Sequence, residues 1–235
     1  MNLKNENKII QRNYGIDALR MLSMFMVVVL HILLLSGLLT NEQLFSTQYE
    51  IAWLLEICVY CAVNCYALIS GYVGVDSKFR FSNIIVLWLR VVFYTFIITM
   101  VFFVFIPNSV TKLSFIKALF PVMSSQYWYF TAYFAMFFFI PLLNAALNQI
   151  DRIRLKIILI SLIILFSVLQ TLFCRDVFST GLGYTAWWLM ILYLIGGYIK
   201  KYGFLEKCKS GLLFLGYCMM VWITWGSKFI IEKGT

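Results

Sequence analysis

From Met21 to Leu35 the chain is almost continuously apolar and does not alternate. In hydrocarbon each backbone amide must be paired within its own segment or in a closed barrel, and barrel strands alternate apolar with polar residues. Such a run is therefore a helix. With about 20 residues needed per crossing, the pattern predicts seven helices, at roughly 14–39, 49–75, 82–106, 127–147, 155–174, 184–200 and 210–231. Short polar connectors at 40–48 and 76–80 separate the first three, and a longer one runs from 107 to 126. No soluble domain, low-complexity tract or repeat interrupts them. The predicted fold class is all-α, a polytopic transmembrane helix bundle forming one membrane domain over 1–235.

Composition agrees. Hydrophobic residues fill 63% of the 235 positions and charged ones 12%, a balance that excludes a water-soluble domain of this size. The first apolar run is too long for a signal peptide and has no small-residue cleavage site, so the first helix is expected to remain. The six cysteines (Cys58, Cys61, Cys65, Cys174, Cys208 and Cys218) are scattered through apolar segments and suggest neither a disulfide framework nor a paired zinc site. Cys58, Cys61 and Cys65 follow helical spacing, but with no nearby histidine no metal is expected.

The net charge of +9 can suggest nucleic acid, but the cations sit in the connections and read as topology, so no nucleic-acid partner is expected. An inside amino terminus places Lys4, Lys8, Arg12, Lys78, Arg80, Arg152, Arg154, Lys156, Lys200, Lys201, Lys207 and Lys209 on one side. The other side receives Lys112, Lys117, Arg175, Lys228 and Lys233. Cationic loops resist translocation, so the amino terminus is predicted to be cytoplasmic. The seventh helix is followed only by Ile-Ile-Glu-Lys-Gly-Thr, and a carboxyl-terminal truncation is expected.

Ionisable groups inside a bilayer are costly, so each one is a functional candidate. His31 is the only histidine and falls in the outer half of the first helix. Imidazole exchanges protons near neutral pH and can attack an acyl carbonyl; its bland alternative is a helix-packing hydrogen bond. Arg20 precedes it by eleven residues, which brings both to within about 20° of one direction and separates them by about 16 Å along the axis. Its guanidinium can grip a phosphate of a nucleotide-containing donor, or simply snorkel to headgroups. Asp17, one turn earlier, can orient or neutralise it. Glu56 lies at a depth similar to that of His31 and is expected to hydrogen-bond the imidazole and set its tautomer; otherwise it is a carboxyl held neutral near the interface.

Asn64, Ser70 and Gly71 crowd the end of the second helix, where small and polar residues permit close helix approach or line a cavity. Arg90, with Lys78 and Arg80, can extend the cationic surface that Arg20 begins. Trp128 and Tyr129 open the fourth helix as interfacial aromatics.

The residues from Ile16-Asp17-Ala18-Leu19-Arg20 to His31 resemble the D-x-x-R-x10-H opening of the acyltransferase-3 family of integral-membrane O-acyltransferases. Leu68-Ile69-Ser70-Gly71-Tyr72 resembles its ISG-Y/F motif, Tyr127-Trp128-Tyr129-Phe130 through Pro141 its aromatic helix leading to a proline, and Leu194-Ile195-Gly196-Gly197-Tyr198 its later LG-containing helix. The resemblance implies about ten helices, a cytoplasmic acyl-CoA donor such as acetyl-CoA, and an extracytoplasmic polysaccharide, lipopolysaccharide or peptidoglycan acceptor. It implies His31 as the catalytic histidine with Arg20 as its partner. Two features depart from the family. Its R-x-x-R pair corresponds here to Leu87 and Arg90, and its closing S-x-x-x-Y-L-x-H type motif does not occur.

The expected function is transfer of an acetyl or other short acyl group from acyl-CoA to a glycan hydroxyl in the bacterial cytoplasmic membrane. The donor is a co-substrate and no cofactor is permanently bound. The expected catalytic residues are His31 and Glu56. Arg20, Arg90, Lys78 and Arg80 bind the donor, and Asp17, Asn64, Ser70, Gly71 and Trp128 orient the site. Acyl-CoA, a surface glycan or lipid-linked sugar, and membrane lipid are the partners. A transporter or flippase-like module and an inactive remnant are the alternatives.

Overall fold

A computed structural model describes residues 13–106, 108–203 and 208–234. Lys4, Lys8, Arg12 and Lys207, used in the topology count, lie outside the described residues. Among those described there is no strand. The helices are α1 (Tyr14–Ser36), α2 (Thr47–Val59), α3 (Ala62–Gly74), α4 (Phe81–Phe105), α5 (Lys112–Leu119), α6 (Trp128–Gln149), α7 (Arg152–Ile163), α8 (Leu169–Phe173), α9 (Ala186–Tyr202) and α10 (Ser210–Gly234).

Their ends follow local chemistry. Asn13 caps α1 by accepting from the Ile16 N–H at 3.3 Å, Ser46 caps α2 through Tyr49 N–H at 3.2 Å, and Asp151 caps α7 through Arg154 N–H at 3.0 Å. Gly37 closes α1 in the left-handed region at φ 73°, where a side chain would also strike that of Asn41. The connector predicted over 107–126 contains α5, which is capped reciprocally by Thr111 and Ser114.

Six described helical segments are long and apolar enough to cross a membrane: Tyr14–Ser36, Thr47–Gly74, Phe81–Phe105, Trp128–Gln149, Arg152–Phe173 and Ser210–Lys233. The protein is thus an all-α, multi-pass membrane protein. The second segment is interrupted at Tyr60 and Cys61, between α2 and α3, although neither residue is a Gly or Pro. Arg152–Phe173 contains a π turn at Ile164–Val168, closed by Leu169 N–H on the Ile164 carbonyl. The remaining predicted crossing is α9, at 17 residues the shortest of the seven and one of the most buried helices.

The chain divides into two compact units. Unit 1 comprises the residues through Tyr66 together with 210–235; in it α1 packs on α2, and α2 on α10. Few of its side chains are buried, among them Ser23, Leu33, Tyr49, Ala52 and Val221. Unit 2, Ala67–Lys209, has a continuous core in which α6 packs on α9 and α9 on α7, centred on Met136, Leu147, Leu155, Leu189 and Tyr193. Its α3 segment crosses α9 at glycines. A Cβ on Gly71 would collide with the Tyr193 carbonyl, and one on Gly196 with the Leu68 carbonyl. The outward faces carry Phe, Ile, Leu and Val along the lengths of α4 and α1, as lipid requires.

Candidate functional site

In unit 1, α1 carries three of the predicted residues on one continuous helix. Arg20 Nη1 lies 3.4 Å from Asp17 Oδ1, so the local pair expected from the sequence is formed. The Arg20 side chain remains 46% exposed, which leaves guanidinium edge for another anion. The Tyr66 hydroxyl donates to the Arg20 carbonyl at 3.0 Å and ties the start of α3 to this turn.

His31 is exposed on the same helix, and no hydrogen bond to it occurs among the described residues. The hydrogen bond expected from Glu56 is not formed. Glu56 is half-buried on α2, and its Oε2 is enclosed without a partner. The reason lies in helix phase. Leu33 marks the buried face of α1 at 5% exposure. His31, two residues away, points roughly 160° from it. The imidazole instead shares the exposed face of Arg20.

Unit 1 also contains a charged cluster that sequence reading missed. Lys228 Nζ lies 3.0 and 3.1 Å from the two Glu50 carboxylate oxygens and 3.1 Å from Glu232 Oε2. The Tyr49 hydroxyl donates to Glu232 Oε1 at 2.6 Å, and the ammonium stands 4.3 Å from the Tyr49 ring centroid. These charged side chains are 11–18% exposed, so the cluster is paired as well as desolvated. It fastens the beginning of α2 to the last turns of α10. A further tie, from the Tyr217 hydroxyl to the Cys58 carbonyl, lies deeper. The i,i+4 pair of Lys228 and Glu232 was visible in the sequence; its partner Glu50, 178 residues from Lys228, was not.

In unit 2, Arg90 is exposed in an open groove of about 580 Å³ along α4, lined also by Val86, Leu89, Phe93 and Tyr94. All five lie along one stripe of α4, so Arg90 stands on a face otherwise made of exposed apolar side chains. Lys78 and Arg80 are exposed in the connector before α4. Ser70 bonds with Tyr133, and Gly71 provides the crossing on α9, so both serve packing in this unit. Asn64, on α3 within unit 1, is half-buried. Trp128 begins α6 with its ring centroid 5.7 Å from Tyr129 and 4.4 Å from Tyr184.

Unit 2 also holds an unpredicted polar link. Tyr193 donates to Asn144 Oδ1 at 2.9 Å, while Asn144 Nδ2 donates to the Gly74 carbonyl at 3.1 Å. The donor and acceptor of this half-buried amide are both satisfied, which reads as structural.

The model of the acyltransferase-3 family, described as an acyltransferase domain, matches residues 13–231. No curated protein and no solved structure is similar enough to the chain to count as a match.

Proposed function

The chain belongs to the acyltransferase-3 family, and from that premise we propose that it moves an acetyl or other short acyl group from cytoplasmic acyl-CoA to a hydroxyl of an extracytoplasmic glycan. The observation that carries this reading is the opening helix. α1 presents an arginine, already paired with Asp17, and an unbonded histidine on one face, eleven residues apart. That spacing is about 16 Å, enough to separate a donor held at one membrane surface from an acceptor approaching the other.

In this mechanism Arg20 grips a donor phosphate, with Arg90, Lys78 and Arg80 as further cations for the nucleotide end. Acyl-CoA is a co-substrate that leaves as free thiol. The bond broken is the thioester C–S bond and the bond formed is the ester C–O bond. His31 takes the acceptor hydroxyl proton during attack, and that proton finally resides on the CoA thiol. Alternatively His31 carries the acyl group between the two substrates. Glu56 makes no bond to His31 and has no part in this mechanism, while Asp17 orients Arg20. The amino terminus is cytoplasmic, and the membrane is the bacterial cytoplasmic membrane.

Replacing His31 with Ala tests the reading. Acyl transfer to surface glycan, followed by mass analysis, is expected to fall roughly 10²–10⁴-fold while the protein remains in the membrane. Unchanged acylation would remove His31 from the chemistry.

A further inference from the structure

Where the first turn of α7 meets the last turn of α9, unit 2 gathers cations that the proposed chemistry does not use. Arg152, Arg154 and Lys156 come from α7 and Lys201 from α9, against one neighbouring carboxylate in α7's cap, Asp151. Asp151 is already engaged, because it caps α7 and lies 3.2 Å from Arg154 Nε. Among the described residues no carboxylate pairs with Arg152, Lys156 or Lys201, and all three side chains are exposed.

Two of these cations are held in place. Arg152 and Lys201 each stand 5.5 Å from the centroid of the Tyr202 ring, so both share one aromatic support. That ring lies 4.8 Å from the ring of Tyr198, which is buried. Lys201 also donates to the Leu147 carbonyl near the end of α6, which leaves its ammonium two further protons. The bias of cations toward one side of a membrane accounts for their presence, but resisting translocation requires no fixed direction of the side chain. Fixing it on a ring lowers the ordering cost of binding an anion.

Along α7 the surface beside the cations is apolar. Ile153, Ile157 and Ile160 are all exposed. Their spacing keeps them within about 40° of the direction of Ile153, in a stripe about 10 Å long. Arg152 and Lys156, one turn apart, lie on the same flank of that stripe. A soluble phosphate would use only the cations, whereas a phospholipid uses both surfaces.

We propose that this corner of unit 2 binds the phosphate of an anionic phospholipid, with an acyl chain along the Ile153–Ile160 stripe. The Arg152 guanidinium and the Lys201 ammonium donate to the phosphate oxygens, and Lys156 snorkels back toward the same group. The site stands apart from acyl transfer, since none of these side chains has a part in that mechanism.

The test is native mass spectrometry of the full chain in detergent, titrated with dioleoyl phosphatidylglycerol and, separately, with dioleoyl phosphatidylcholine. The two lipids share their chains, and only the first carries a net negative charge. Phosphatidylglycerol is expected to be retained at a roughly tenfold lower concentration. R152Q and K156Q should each weaken that retention roughly fivefold. Unchanged retention of phosphatidylcholine by both variants would show that their folds are intact, as expected for exposed side chains. K112Q, which removes a cation from α5 in the same unit, should leave phosphatidylglycerol binding as it is. Equal retention of the two lipids, or wild-type phosphatidylglycerol binding by the R152Q/K156Q double variant, would overturn the site. Displacement of phosphatidylglycerol by adenosine 3′,5′-bisphosphate would assign the cations to a soluble phosphate and overturn it as well.

Discussion

Unit 1 brings its helices together through an ammonium, two carboxylates and a phenol, with few buried side chains around them. Unit 2 uses shape instead: glycines let α3 press backbone to backbone on α9, and a continuous apolar core surrounds the crossing. The proposed chemical groups Arg20 and His31 stand in the first kind of region, on an exposed helix face that packing does not constrain. A helix whose interior contacts are sparse can offer costly side chains on its surface without competing for core volume. Charge pairing then supplies the cohesion that the core does not.

Removing charge from unit 1 should produce the largest effect. K228A would strand Glu50 and Glu232 together in a desolvated site, and a loss of about 3–5 kcal/mol is expected. Cys58, Cys61, Cys65 and Cys218 are half-buried and all lie in unit 1, so dye labelling of these thiols during a thermal ramp reports that unit. The labelling temperature should fall sharply in K228A; an unchanged ramp would mean that the cluster is ornamental.

Crowding the glycine crossing should come next. G71V forces a branched side chain onto the Tyr193 carbonyl, and unit 2 is expected to lose about 3 kcal/mol. Proteolysis of the loop at 174–185 should accelerate while thiol labelling in unit 1 keeps its onset. If the thiols instead became reactive at the same temperature as the loop became cleavable, the two units would melt as one and the contrast would fail.

The smallest effect belongs to the pair on α1. Asp17 and Arg20 are substantially exposed, and D17N should shift stability by less than about 1 kcal/mol. Its signature would be kinetic, a raised donor KM with little change in kcat, because an unoriented guanidinium binds phosphate less well. A thermal shift as large as that of K228A would make the pair a structural brace.

The crossings were legible because membrane thickness imposes a length that any apolar run either meets or does not. Asp17 with Arg20 was legible for a similar reason, since both lie on one turn and the helix repeat places them. Glu56 with His31 depended on the rotation of α1 about its own axis, which its nearly uniform apolar surface leaves undetermined; Leu33 turned out to occupy the buried face. Glu50 and Lys228 meet across 178 residues, beyond any local pattern. The break at Tyr60 and Cys61 carries no Gly or Pro, and α5 is too short and too polar to stand out by periodicity.

The π turn at Ile164–Val168 has a consequence for how this segment tolerates change in length. A single residue advances a helix by about 100°, and one wide turn accommodates the equivalent of one extra residue. Deleting one residue there should restore regular winding and leave Gln170 on its present face beside Thr180. The wide turn is thus the place where this segment can lose one residue without presenting the Gln170 carboxamide to the acyl chains.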